Sequence, residues 1–382
     1  MTAMPALHAP GPRRPTVRER LRDRVGEVGR LLASPLVPDD YLDLFAPLRA
    51  GASLRGRIEQ VVPETADAAT LVIRPGADWA GHVPGQYVRI GVEVDGVRQW
   101  RAYSLTHGPR PDGRISITVK AVPDGLVSHY LVHRTRPGTL VHLEQAAGEF
   151  VLPTADPAVE PKLLFVTAGS GITPVIGMLR NLFPVTDAGV VRPARSAAYD
   201  IVVLHVAPSE PQSIFRSNLC ALDEAGAIRL VTRYDDQHGV LDVTQLDALV
   251  PDLDERVTLA CGPAGLLEAL EKHHADRGLE LRTEKFRLTT LVTGDGGTVS
   301  FTKSGASVEA AGDRPLLDEA EEAGVLMPSG CRMGVCYGCV LPLREGVVRD
   351  LRNGDITSAV EGDGVVIQTC INAAAGPCRI DN

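Results

Sequence analysis

Cys331-Arg332-Met333-Gly334-Val335-Cys336-Tyr337-Gly338-Cys339, with Cys370 following after thirty intervening residues, is the stretch that decides how the end of this chain folds. Thiols separated by four and then two residues, with a distant fourth, have the spacing of a [2Fe–2S] cluster loop. Such a loop wraps a small anionic cluster, and glycines at 330, 334 and 338 let backbone N–H groups approach its sulfur atoms. Zinc is the alternative, but zinc sites pair their ligands at short spacing, and Cys370 has no second ligand near it in sequence. No histidine lies between Cys331 and Asn382, so the ligand set reads as four cysteines. Cys378 falls outside the spacing and reads as an ordinary thiol.

Working outward, five of the seven cysteines lie in the last fifty-two positions of a 382-residue chain, and Cys220 and Cys261 stand alone. Clustering of this kind, in a chain whose start lacks the apolar segment of a secretion signal, indicates metal rather than disulfides and makes the cytoplasm the expected location. Hydrophobic residues are 44% and charged residues 23%, and no apolar run approaches the roughly 18 residues of a membrane helix. The net charge of −9 offers no field for a phosphate backbone, so no nucleic-acid partner is expected. The length implies two to four domains, and a monomer is expected.

Residues 1–14 read as a disordered tail. From Thr16, the apolar residues Val17, Leu21, Val25, Val28 and Leu32 recur at helical spacing. This predicts an amphipathic helix, packed on its own protein or docked against a membrane-bound partner; residues 1–50 are taken together as tail and helix. Residues 51–155 change to short alternating segments divided by Gly, Pro and Asp, which predicts an antiparallel barrel. Residues 156–287 alternate buried-type strands (162–169, 199–207, 228–234, 256–262) with helical segments (172–183, 263–278), the rhythm of a parallel sheet with crossover helices. Residues 288–297 read as a linker, and 298–382 as a final compact unit.

Residues 298–382 resemble a plant-type ferredoxin of β-grasp fold, with a hairpin over 298–310 and a helix over 316–324 preceding the cysteine loop. The resemblance implies that Cys331 and Cys336 hold one iron and Cys339 and Cys370 the other. Upstream, Arg101-Ala102-Tyr103-Ser104 matches the R-x-Y-S signature of the ferredoxin-NADP reductase superfamily, and Gly125-Leu126-Val127-Ser128 its G-x-x-S motif at a helix start, where free N–H groups bind phosphate. Ala168-Gly169-Ser170-Gly171-Ile172-Thr173-Pro174 matches its G-x-G-x-x-P nucleotide loop, Cys261-Gly262-Pro263 follows a later strand, and Glu284-Lys285-Phe286 matches the E-x-F signature of reductases fused to a ferredoxin.

The resemblance therefore implies three domains: a Greek-key flavin barrel, an α/β nucleotide-binding domain and an α+β β-grasp ferredoxin. It assigns Arg101 to the flavin phosphate, Tyr103 to the flavin ring, Ser104 to the ring's polar edge, Cys261 to the nicotinamide, and Glu284 and Phe286 to the neighbourhood of the flavin. Ser104, Cys261 and Glu284 are the expected catalytic residues, and Gly169, Gly171, Thr173, Gly262 and Pro263 line the nucleotide path. Two phosphate motifs favour FAD over FMN. Arg233, where relatives hold a 2′-phosphate, favours NADPH over NADH, and Arg216 is a second candidate.

The expected activity is hydride transfer from NADPH to FAD and single-electron delivery through the cluster to a separate redox protein. Through Pro35–Tyr41 the chain resembles most the reductases of fatty-acyl-CoA desaturases, with peripheral membrane contact made through that partner. Rieske-type hydroxylases and cytochromes P450 are the alternative acceptors, and a redox sensor is a reading of another class.

Overall fold

The computed structural model of the protein describes residues 45–94, 97–123, 125–153, 161–186, 189–190, 199–286, 292–334 and 337–382. The expected helix from Thr16, the stretch Pro35–Tyr41 and Cys336 lie outside the described residues.

The first unit is an antiparallel sheet of β1 (Arg55–Thr65), β2 (Ala68–Pro75), β3 (Tyr87–Val94), β4 (Val97–Ser104), β5 (Ile115–Lys120) and β6 (Leu140–Leu143) in the order β4-β3-β6-β1-β2-β5. Its two ends meet through a bridge between Leu105 and Ile117 and a bond from the Thr106 N–H to the Ser116 carbonyl, which closes the sheet into a barrel. Alternation sends Val88, Ile90, Val92 and Val94 of β3 inward, where they meet Leu71, Ile73, Ile117 and Leu143. A single helical turn, α1 (Leu126–His129), follows β5 and runs into a π-helical turn over Tyr130–Arg134.

The second unit is a five-stranded parallel sheet in the order β11-β10-β7-β12-β13, made of β7 (Lys162–Ala168), β10 (Asp200–Ala207), β11 (Arg229–Tyr234), β12 (Val257–Cys261) and β13 (Leu281–Glu284). The short hairpin β8 (Val185–Thr186) and β9 (Gly189–Val190) lies between β7 and β10 in sequence. Helices α2 (Ile172–Leu182), α3 (Arg216–Glu224), α4 (Asp235–His238), α5 (Leu246–Leu249) and α6 (Ala264–Arg277) make the crossovers. The central strands read as continuous apolar runs because helices cover both faces. The chain leaves β7 towards β10 on one side and returns to β12 on the other, so the β7/β12 boundary is the switch point at which ligands bind in such sheets.

The third unit has the strand order β15-β14-β19-β16-β17, with β18 also paired to β16. It comprises β14 (Gly297–Phe301), β15 (Ser307–Ala310), β16 (Val340–Asp350), β17 (Ile356–Ala359), β18 (Val366–Gln368) and β19 (Asn372–Ile380), with α7 (Leu316–Glu322) packed through Leu316, Leu317 and Ala320 on the core. Cys378 is a buried member of that core.

The described part of the expected linker is held on the third unit. Val292, Gly294 and Gly296 donate backbone bonds to Leu351, Gly312 and Ala374, so this stretch lies on the third unit rather than spanning open space. Backbone groups that would otherwise need water find partners there.

The barrel and the parallel sheet meet through α2. Arg180 donates to the Thr106 carbonyl (3.1 Å), bonds Asn218, and lies 4.6 Å from the centre of the Phe215 ring. Burial holds this guanidinium down to about 10, a cost that is offset where its donors are met.

Candidate functional site

All three units contribute to one cavity of about 990 Å³. The barrel supplies Arg101, Ala102, Tyr103 and Ser104 from the end of β4 and Gly125, Leu126, Val127 and Ser128 from the start of α1. The parallel sheet supplies Ser170, Thr173, Glu284 and Phe286, and the third unit Asp318, Glu321, Cys331, Arg332, Met333 and Cys370.

Arg101 carries the clearest electrostatic signal. It is half-buried, its guanidinium is pushed down to about 10 chiefly by burial and then by Arg332, with Glu321 and Asp318 of the third unit acting the other way, and among the described residues it makes no direct ion pair. One of its nitrogens donates to the Trp100 carbonyl (2.8 Å). A half-buried cation on a cavity wall, with no direct ion-pair partner among the described residues, suits an anionic group such as a phosphate. Tyr103 beside it has its hydroxyl raised by burial. Ser104 is buried and, among the described residues, its Oγ has no hydrogen-bond partner, which leaves a polar atom available to a bound molecule.

At α1, Ser128 accepts a bond at its Oγ from the Val122 N–H (3.2 Å) and donates to the Gly125 carbonyl (2.9 Å), which ties the turn that presents these backbone N–H groups. The hydroxyl thus shapes the turn.

The nucleotide loop leaves β7 at Ala168. Thr173 Oγ1 donates to the Ser170 carbonyl (2.9 Å) and steadies the turn into α2. Gly171 is packed against Cys261 so closely that a Cβ there would overlap the Cys261 carbonyl. Cys261 pairs in register with Thr167 on one side and Glu284 on the other. The cysteine is fully buried behind this wall, and its thiol is pushed well up by burial and by Glu284. Cys261, expected beside the nicotinamide, thus stands at the switch point with its sulfur buried. Gly262 and Pro263 carry the chain from it into α6, where Pro263 is the cap residue.

Glu284 itself lines the cavity, has one carboxylate oxygen buried without a partner, and is lifted to about 8 by burial. Arg233 stands apart from the cavity, at the carboxyl end of β11. It is level with Val206, and Val206 is level with Ala168, so two strand spacings, roughly 10 Å, separate it from the nucleotide loop. Arg233 donates to the His238 carbonyl (3.1 Å), and Arg216, paired with Glu210, lies beside Tyr234.

In the third unit, Cys331, Cys339 and Cys370 are buried, and Cys339 and Cys370 share a hydrogen bond that, with burial, drives the Cys370 thiol up. The Gly334 N–H points to the Cys370 sulfur and the Met333 N–H lies 3.4 Å from the Cys331 sulfur. Buried thiols with backbone donors aimed at them are suited to thiolates that share metal charge. Among the described residues, no three His, Cys, Asp or Glu side chains converge on a single ion.

Sequence reasoning missed the acidic rim. Asp318 and Glu321 on α7 face the cavity and are paired with Arg332 of the cysteine loop (2.6 Å to Asp318). The Asp–Glu spacing on one helix face was visible in sequence, but its meeting with Arg332 depends on the fold of the third unit, and its approach to Arg101 on how that unit packs against the barrel.

The comparisons agree with this geometry. A sequence model of the oxidoreductase FAD-binding domain matches residues 59–152, and one of the 2Fe-2S iron-sulfur cluster binding domain matches residues 300–374. The solved structure of phthalate dioxygenase reductase, described as a modular structure for electron transfer from pyridine nucleotides to [2Fe–2S], superposes with a TM-score of 0.56 at 21% identity, covering 86% of this chain and 97% of that one. Fold and site define an electron-transfer oxidoreductase that binds FAD and a [2Fe–2S] cluster and takes electrons from a nicotinamide nucleotide.

Among curated relatives, an "NADPH oxidoreductase" of Mycobacterium tuberculosis is 44% identical over 97% of this chain and 96% of its own length. The chain belongs to that family of FAD and [2Fe–2S] reductases. A "glycine betaine monooxygenase reductase subunit" of Pseudomonas aeruginosa is 27% identical over 75% of this chain and 84% of its own length. Among the described residues no helix is long and apolar enough to cross a membrane.

Proposed function

We propose that the chain is the NADPH-dependent reductase component of a multi-protein system and passes electrons to a separate, oxygen-activating iron protein. The carrying observation is that one cavity is lined both by the β4 signature Arg101–Ser104 with Glu284 and by the cluster-loop residues Cys331 and Cys370. Each NADPH gives NADP⁺ and a hydride, that is, two electrons and a proton; a bound flavin would take them as a pair and release the electrons singly, and a [2Fe–2S] cluster would carry one at a time.

In this reading Arg101 and the α1 backbone hold the flavin phosphates, Tyr103 stacks on the ring, and the unpartnered Ser104 Oγ bonds the ring edge. Ser170, Gly171 and Thr173 seat the nucleotide pyrophosphate at the switch point. Arg233, with Arg216 beside it, takes the 2′-phosphate, which supports NADPH over NADH. Phe286 shields the ring side of the cavity. Glu284 holds a proton near neutral pH, and Cys261, level with it on the neighbouring strand, lies beside the nicotinamide. Cys331, Cys336, Cys339 and Cys370 bind the cluster.

A hydroxylating oxygenase is the acceptor we favour, because oxygenase reductase subunits are among the relatives. A fatty-acyl desaturase is the second acceptor, drawn from the resemblance of Pro35–Tyr41. The test is coupled product formation with the purified chain, NADPH, and either a Rieske-type hydroxylase or a desaturase in vesicles. Substrate oxidation with the hydroxylase bears out the favoured reading, and activity with the desaturase alone moves it to the second. NADPH oxidation that reduces no protein acceptor at all overturns both in favour of a sensor.

A further inference from the structure

β3 carries one residue that its strand pattern does not explain. Val88, Ile90 and Val92 fill the barrel interior, so Arg89 points outward, where an arginine is ordinarily solvated. Yet Arg89 is 9% exposed. Part of its cover comes from the third unit: one guanidinium nitrogen donates to the carbonyl of Ser329, 3.4 Å away and two residues before Cys331. Two contacts within the barrel orient the guanidinium, and a backbone bond fixes the strand that carries it. Glu144 accepts from its other terminal nitrogen (2.7 Å), the Glu144 N–H donates to the Arg89 carbonyl (3.1 Å), and the Trp100 ring lies 5.4 Å from the guanidinium carbon. Ser329 is itself 5% exposed, so its carbonyl depends on a protein partner for satisfaction.

We infer that Arg89 is a positioning residue, a latch that fixes the cluster loop to the flavin barrel and so sets the gap across which electrons pass from flavin to cluster. This rests on the proposed function and adds a residue that touches neither group. The bond is long, and its weight comes from its charged donor and its burial, where water cannot substitute for a lost partner. Electron transfer between fixed centres falls steeply with separation, so a loosened loop slows that step and leaves the reaction at the nicotinamide unaltered.

The experiment uses the full chain with both groups bound, as Arg89→Gln, Arg89→Lys and Glu144→Gln. Three quantities are measured: NADPH-driven ferricyanide reduction, which draws electrons from the flavin; stopped-flow bleaching of the cluster by NADPH; and backbone hydrogen exchange over residues 325–331. In Arg89→Gln we expect ferricyanide reduction within twofold of the unaltered chain, cluster bleaching slowed tenfold or more, and faster exchange over 325–331. Arg89→Lys, which keeps the charge and one donor, should recover part of the bleaching rate, and Glu144→Gln should slow it less than Arg89→Gln. Bleaching within twofold together with unchanged exchange overturns the latch, as does an equal loss of both reactions in all three variants. A chain that takes up no cluster overturns the proposed function instead, so the two failures are told apart.

Discussion

Gly171, at the end of the nucleotide loop, lies against the backbone carbonyl of Cys261 with no room for a Cβ between them. This approach joins the carboxyl ends of β7 and β12 at the switch point and leaves both loops open to a ligand. In Gly171→Ala the added carbon must push the Cys261 strand end away, at a cost of about 1–3 kcal/mol. KM for NADPH should rise tenfold or more, with iron and flavin content unchanged; an unchanged KM in steady-state assays would falsify the packing argument.

Burial lifts Glu284 to about 8 from an ordinary value of 4.5, so the folded chain holds this proton more tightly than the unfolded chain does. The resulting stability is fully present below the unfolded value and is lost as pH rises through about 8. Glu284→Gln should remove that loss, which is on the order of a few kcal/mol across the window. Calorimetric scans from pH 5 to about 9 should show a flatter stability curve in the variant. If Glu284 supplies a proton during turnover, the fall in kcat/KM above the same pH should also vanish. Parallel curves for the two proteins would count against the buried carboxyl.

Gly334 has φ +78, and a Cβ on it would stand 2.6 Å from Arg352 Nη1 and 2.9 Å from Ile371 Cγ2. Alanine there meets the left-handed penalty of about 1–2 kcal/mol as well as the clash. Because the Gly334 N–H points at the Cys370 sulfur, the shift falls on a cluster ligand. Gly334→Ala should at least halve the iron and sulfide bound per chain and weaken the visible absorption in proportion. Full cluster occupancy would show that the loop absorbs the change.

Arg256 is a stability element remote from the cavity. Its side chain is 4% exposed and bonds Asp200, Asp252 and the carbonyls of Leu163 and Asp200 beneath the parallel sheet. Arg256→Met leaves two carbonyls and the Asp200 carboxylate without their cation, while Asp252 keeps only the longer contacts to Lys162 and Arg229. Because both carboxylates keep partial access to water, the expected loss is about 2 kcal/mol rather than that of a fully buried pair. The melting temperature should fall by several degrees with turnover at 25 °C within twofold. An unchanged melting temperature would mean that water replaces the guanidinium.

Much of this molecule was legible in the one-dimensional chain. The period-2 segments of residues 51–155, the alternation of apolar strands with helices in 156–287, and the cysteine spacing each report local constraints. Side-chain alternation, helix periodicity and the reach of one loop are fixed by neighbours along the chain. Arg101, Ser104, Gly125, Glu284 and Cys331 were therefore found as motif members, and the structure brings them to one cavity. Tertiary structure alone decided the burial of Cys261 behind Glu284, the rim of Asp318 and Glu321 around Arg332, and the contact of Arg89 with Ser329. Each depends on residues far apart in sequence meeting in space, and the last on two domains meeting across a boundary. Sequence carries no period or spacing for such an encounter, because nothing in the local chain registers which surface the next domain will cover.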